Sequence, residues 1–234
     1  MRHFLFGLGL LAALTCSQVS LAGEPLPPEF AATAASITSD LQTGTLLFSE
    51  GDCLAVRIYT ASAYTHVALV CIEEGEPFVY DSMNGVGVRR QSLAAYLAGE
   101  SPHEVHILQP CRPLTAEQGT ALRTYLNSQL GRPYAIHHHL TGKRCEGVHC
   151  SEYATDALMS VGLITAQRPP RVSPASLATG ITQTGIYAVG GSVDLEPAAP
   201  PQEPAANRCH WLWLETKQCT LSCCDKLAGW FLCR

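Results

Sequence analysis

The 234-residue sequence is 47% hydrophobic, 15% charged and 7% aromatic, with 15 Lys+Arg against 20 Asp+Glu for a net charge of −5. That length suits one domain able to bury its own core. The composition argues against a disordered chain, the acidic balance against nucleic acid as a partner, and the lack of an apolar run of roughly 18–20 residues against a transmembrane segment.

Arg2 and His3 precede an apolar run from Phe4 to Leu14 and a stretch of small residues ending Ser20-Leu21-Ala22. A basic start, a short apolar stretch and a small-residue site are the parts of a secretory signal peptide. Residues 1–22 are therefore expected to be cleaved, taking Cys16 with them. The remainder is expected to be exported to the periplasm, cell envelope or medium, where disulfides are permitted. This bears on an unusual count of eleven cysteines.

Pro25 to Pro28 form an extended lead-in, and Glu29 to Gln42 read as a helix with Phe30, Ala34, Ile37 and Leu41 on one face. Leu46-Leu47-Phe48 and Leu54 to Ile58 are short apolar segments on either side of a Gly-Asp turn. Tyr64 to Ile72 and Phe78 to Met83 are strand candidates joined by a polar hairpin turn over Glu73 to Pro77. Val86-Gly87-Val88 and Val105 to Leu108 are further strands, with a helix from Ser92 to Leu97 between them. Thr115 caps a helix that Gly131 ends, with Glu117 and Gln118 in its first turn. Ser151 to Val161 form another helix, stopped by Gly162, and the core runs out through Tyr187-Ala188-Val189. Together these elements make an α+β domain over residues 23–195.

Residues 196–207 (EPAAPPQEPAAN) carry Pro197, Pro200, Pro201 and Pro204 with little bulk and read as a linker. The tail, residues 208–234, is rich in cysteine and tryptophan: Cys209, Cys219, Cys223, Cys224 and Cys233 with Trp211, Trp213, Trp230 and Phe231. Structural zinc sites are built from two short Cys pairs, and only Cys219 and Cys223 come close to one. Disulfide staples are the preferred reading, and the aromatics form either a tiny core or a contact surface for the cell envelope.

The chemistry concentrates in three places. Cys150 directly precedes a helix, where unpaired N–H groups and the positive end of the helix dipole favour a thiolate and can hold an oxyanion. It is either a nucleophile or a buried or bonded cap. His66 lies on the first hairpin strand, on one face with Ala68 and Val70. A turn centred near Glu74 puts Asp81 opposite it, or Ser82 after a one-residue slip. Cys150, His66 and Asp81 make a nucleophile–base–orienter set. Three consecutive histidines, His137 to His139, cannot all converge on one ion, and alternation along a strand leaves at most His137 and His139 to cooperate. Neither a core metal site nor a cofactor is expected, although one of these rings could serve as the base in place of His66. Cys53, Cys71, Cys111 and Cys145 remain in the core, with Cys71 read as a buried strand residue.

The stretch TGTLLFSEGDCLAVRIYTASAYTHVALV resembles the opening of the permuted papain-like amidases, the YiiX/YaeF-like branch of the NlpC cysteine peptidase superfamily. Val79-Tyr80-Asp81-Ser82 resembles the family's acidic strand. Val86-Gly87-Val88 and Ser92 to Leu97 resemble its next strand and helix. Gly131-Arg132-Pro133-Tyr134 resembles its Gly-x-Pro-Tyr segment, and His149-Cys150-Ser151-Glu152 its Tyr-Cys-Ser-Glu nucleophile helix. The resemblance spans about residues 40–187 and implies a circularly permuted papain-like fold, an antiparallel sheet packed on helices, with His ahead of Cys in the chain. It implies catalytic roles for Cys150, His66 and Asp81, with Tyr134 either lining the oxyanion site or packing as a strand tyrosine. Thr45, Thr65 and Ala135 depart from the family pattern, and Ala135 bears on substrate preference. The expected activity is hydrolysis of a peptide or acyl-amide bond through a thioester, on a substrate such as a cell-wall peptide or a lipid-linked amide. Acyl transfer or thioester hydrolysis on the same fold, and a non-catalytic envelope-binding module, are the alternatives.

Overall fold

The computed structural model describes residues 26–50, 62–101 and 103–195, together with 207–210, 212–214, 216–217 and 220. The expected signal peptide, the segment Leu54 to Ile58, Cys53 and the linker up to Ala206 lie outside the described residues. So does most of the tail, including Cys219, Cys223, Cys224, Cys233, Trp211, Trp230 and Phe231. Trp213 is described and is 65% exposed.

Among the described residues, six strands form one antiparallel sheet: β1 (Leu46–Glu50), β2 (Tyr64–Glu73), β3 (Glu76–Met83), β4 (Gly87–Ser92), β5 (Glu104–Pro110) and β6 (Tyr187–Asp194), in the spatial order β4-β3-β2-β1-β5-β6. β2 is central and is covered on both sides. Val67, Leu69 and Cys71 enter one core, with Leu46, Phe48, Leu122, Leu126, Tyr153 and Leu158. Ala68 and Val70 enter the other, with Leu47, Val79, Leu93, Tyr96, Leu97 and Val105. Burial on both faces explains why β2 reads as a continuous apolar run rather than an alternating one.

α1 (Pro28–Thr38) and α2 (Leu93–Glu100) cover the face of the sheet that carries Ala68. α3 (Ala116–Ser128), α5 (Cys150–Ser160) and α6 (Pro174–Gln183) cover the face that carries Leu69. α4 (His137–Thr141) is one short turn ahead of α5. α3 starts as expected, with the full capping box between Thr115 and Gln118. Of the residues anticipated on the inner face of this first helix, α1, Ala34 is buried and Phe30 and Ile37 pack against the same core; the helix ends at Thr38 rather than Gln42, so the buried Leu41 reaches that core from the turn beyond it. α6 was not anticipated, although Ser173 and Ser176 cap it reciprocally and Pro174 opens it.

Two local expectations need correction. The β2–β3 hairpin turns on two residues, Glu74 (φ 53°) and Gly75 (φ 89°), and pairs Leu69 with Tyr80 and Glu73 with Glu76. Continuing that register, Asp81 lies a diagonal step from His66 rather than directly opposite, a separation still within reach of long side chains. The histidine run is helical rather than extended, because residues 137–141 form α4. Its outer rings diverge: His137 Nε2 meets Cys145 Sγ at 3.1 Å, whereas His139 stands edge-on to His149 with ring centres 5.5 Å apart.

Candidate active site

Cys150 is the first residue of α5, and His149 is its N-cap. The Cys150 and Ser151 backbone N–H groups have no hydrogen-bond partner among the described residues, and the first helical bond comes from Tyr153 N–H to His149 C=O at 2.9 Å. Two unspent donors thus sit beside a sulfur at the positive end of the helix. Cys150 is a free thiol, 5% exposed.

The segment that delivers Cys150 is tied down along its length. Val148 N–H donates to Pro133 C=O at 2.9 Å, Ser82 Oγ donates to Val148 C=O at 2.7 Å, and Ser151 Oγ donates to Val172 C=O at 2.7 Å. Tyr134 forms a bridge with Val148, two residues ahead of the nucleophile candidate. Gly147 permits this approach: a Cβ there would lie 2.6 Å from Ala135 Cβ and 2.8 Å from Pro133 O.

His66 projects from β2, and its Nε2 lies 3.2 Å from Asp81 Oδ2. Arg89, paired with Asp81 across the β3–β4 hairpin, donates from Nε to Oδ1 at 2.8 Å and from Nη2 to Oδ2 at 3.0 Å. The Asp81 side chain is fully enclosed and that of His66 is 12% exposed. The Tyr96 ring packs 6.4 Å from the imidazole, and its hydroxyl is 3.0 Å from Ser49 Oγ on the neighbouring strand. With Nε2 committed to Asp81, Nδ1 is the nitrogen left to face the thiol.

The charges are mutually set. Burial by itself raises the Cys150 pKa, but hydrogen bonding and charge from His149 and His66 outweigh it and bring the thiol from 9.0 down to about 6. Burial lowers the His66 pKa, yet Asp81 and Cys150 hold it well above 6.5. For Asp81, burial is overcome by His66 and Arg89, and the carboxyl stays below its ordinary value. Cys71 is the internal contrast. Buried in the sheet core and without an imidazole, its thiol is pushed up to about 12, first by burial and then by Glu73. Tyr134 is brought near Cys150: burial first, and then the Cys150 charge, raise its pKa. Its hydroxyl has no hydrogen-bond partner among the described residues.

His149 is a second imidazole beside the sulfur, missed in the sequence because a histidine N-cap is unusual. Its Nε2 donates to Pro170 C=O at 2.9 Å, and its Nδ1 accepts from Glu152 N–H at 3.3 Å. Burial lowers its pKa and the neighbouring thiolate draws it up. Its nitrogens are engaged by Pro170 C=O and Glu152 N–H, whereas the His66 ring is backed by a carboxylate, which makes His66 the better candidate for the base. Arg89 and Glu100 are further site residues that sequence reasoning missed. The Asn84-Gly85 turn between β3 and β4 was a readable signal for Arg89.

Among the described residues, two groups of side chains bring three possible metal donors within 4.8 Å of one another: His66, Asp81 and Glu100 in the site, and the partly exposed Glu50, Glu104 and His106 elsewhere. In the first, the Arg89 guanidinium already binds both Asp81 oxygens. In the second, His106 Nε2 already contacts Glu50 at 3.0 Å and Glu104 at 3.7 Å.

A family model described as permuted papain-like amidase enzyme, YaeF/YiiX, C92 family, matches residues 40–169, more than half of the chain. No curated protein matches. Among solved structures, a crystal structure titled metalloprotein YiiX from Escherichia coli O157:H7 is similar at 18% identity and a TM-score of 0.47, covering 70% of this chain and 98% of its own.

Proposed function

Because the chain belongs to the permuted papain-like amidase family, we propose that it is a cysteine hydrolase that cleaves an amide bond through a thioester on Cys150. The observation that carries this reading is the free Cys150 thiol at the start of α5, lowered to about 6 by imidazoles of which His66 is oriented by Asp81. The Cys150 thiolate attacks the amide carbon. The oxyanion forms against the Cys150 and Ser151 N–H groups, with the Tyr134 hydroxyl as a third donor. The imidazolium gives its Nδ1 proton to the leaving amine as the C–N bond breaks, leaving a thioester and neutral His66. Water then enters, His66 takes its proton, and the C–S bond breaks to release the acid and restore the thiolate–imidazolium pair. Arg89 keeps Asp81 ionised throughout without touching the reacting atoms.

The family supports a peptide-like amide as substrate, and the proposal extends this to a peptide or acyl amide such as a cell-wall peptide or a lipid-linked amide. Export is part of the proposal and rests on the basic start, the apolar run and the Ser20-Leu21-Ala22 site of the first 22 residues. No helix among the described residues is long and apolar enough to cross a membrane.

A thiol-directed probe tests the reading. Iodoacetamide should label Cys150 at neutral pH far faster than Cys71, and His66→Ala should slow that labelling at least tenfold. Equal labelling of Cys150 in the two proteins would refute the pair. Product analysis with a competing amine then separates hydrolysis from acyl transfer.

A further inference from the structure

The last residue of α2 is a carboxylate enclosed between that helix and the sheet. Glu100 is 5% exposed, and its Oε1 has no hydrogen-bond partner among the described residues. One of its oxygens lies within 4.8 Å both of a His66 ring nitrogen and of an Asp81 oxygen. A buried carboxylate with an unspent oxygen is costly unless positive charge stands close by.

The groups facing it are few. β2 presents His66, β3 presents Asp81, β4 presents Arg89, and α2 itself presents the Tyr96 hydroxyl. Asp81 repels it and Tyr96 is uncharged. Arg89 is engaged with both oxygens of Asp81, at 2.8 and 3.0 Å. Arg89 therefore answers Glu100 through charge alone, and a protonated His66 is the other positive group that faces it.

We infer that Glu100 is the buried counter-charge of the His66 imidazolium, a positioning residue that keeps the Cys150–His66 pair in its thiolate–imidazolium form. The inference rests on the proposed roles of Cys150 and His66 and adds a further group that biases their charge state. It divides the labour among the acids: Asp81, shared with Arg89, bonds and orients the ring, while Glu100 adds a second negative charge that acts on His66 without a hydrogen bond. A divalent cation held by His66, Asp81 and Glu100 is the competing use of the same atoms, and the guanidinium already on Asp81 disfavours it.

The test reads the His66 ring directly, by NMR titration of substrate-free protein. Glu100→Gln keeps the shape and removes the charge, and should move the His66 midpoint to lower pH by about one unit, a tenfold fall in the imidazolium ratio. Glu100→Asp, which keeps the charge but withdraws it, should give a smaller shift in the same direction, and it decides the matter if the Gln variant does not fold. A midpoint unchanged in the folded variants overturns the inference, because a merely structural role alters stability and not the titration. So does a wild-type protein that binds Co2+ with loss of the His66 titration when Glu100→Gln does not. No substrate is turned over in this measurement, so failure to hydrolyse amides would tell against the hydrolase reading and leave the His66 result standing.

Discussion

At the scale of single residues, the site is a problem in distributing charge inside a protein, where the interaction of close groups is several times stronger than in water. Cys71 and Cys150 carry the same thiol and differ only in what surrounds them, with pKa values of about 12 and about 6. Cys150 is lowered and His66 is raised, so the proposed thiolate–imidazolium pair is favoured in the pH range between the two. Activity should therefore climb as pH rises through about 6 and fall again at alkaline pH, where the raised His66 finally loses its proton. A pH–rate profile of kcat/KM checks both limbs. Asp81→Asn removes the acid that supports the imidazolium, and kcat/KM should drop on the order of 10²–10⁴-fold. The stability consequence has a definite sign: Asp81 is held below its ordinary carboxyl value. Its contribution is present above about pH 4 and lost as pH falls through the lowered pKa. Acid unfolding monitored by circular dichroism should therefore begin at higher pH, or from lower starting stability, in Asp81→Asn. The residues proposed to react were legible in the chain, because a cysteine at a helix start and a histidine on a strand have local signatures. Glu100 had none, since it reaches the site only by the way α2 folds back over the sheet.

At the scale of elements, turns decide which side chains meet. The sequence located the hairpin between β2 and β3 and the parity of His66, but the two-residue turn at Glu74-Gly75 shifts the pairing so that Asp81 approaches diagonally. A register error of this size is invisible to hydrophobic patterning when both faces of a strand are buried, because no polar face penalises it. The histidine run shows the complementary failure. Residues 137–141 are too short to display a helical period, so alternation was the default, and α4 sends His137 and His139 to different neighbours. The approach of residues 133–135 to Val148 positions Tyr134, and it depends on Gly147 having no side chain. Gly147→Ala would press a methyl group to 2.6 Å from Ala135 Cβ and 2.8 Å from Pro133 O. The strand-like contact must then open. Differential scanning calorimetry should show a loss of about 1–3 kcal/mol, the usual cost of overpacking, and kcat/KM should fall at least tenfold as Tyr134 and the start of α5 move apart. A Gly147→Ala protein of unchanged stability and activity would show that this contact does not position the site.

At the scale of the whole molecule, the site stands where the two layers of helices meet one sheet: His66, Asp81 and Glu100 belong to the α2 side, and Cys150 arrives with a helix from the other. Most strands were individually legible, although β6 was read only as the end of the core, and their order was not, because β1 at the centre pairs with β5 some sixty residues away and β5 with β6 some eighty residues further on. Nothing local encodes such partners. The same non-local pairing fixes where the domain can be cut. β6 pairs with β5 from Glu104↔Asp194 to Pro110↔Tyr187, and the buried Tyr187 hydroxyl donates to Gly44 C=O at 2.8 Å. Leu195 is still buried, and its C=O accepts from Ser101 Oγ at 2.9 Å. A chain ending after Leu195 keeps every one of these contacts and should retain its cooperative melting transition and its rapid Cys150 labelling. A chain ending after Ile186 loses the whole edge strand, exposes β5 and leaves the Gly44 carbonyl without its donor, a buried loss of about 1–3 kcal/mol for that group alone. It should melt well below the longer chain or aggregate through the bared edge. If truncation after Leu195 abolished Cys150 labelling, the prolines from Pro197 to Pro204 would not mark a boundary, and the cysteine-rich tail would have to be counted as part of the folded unit.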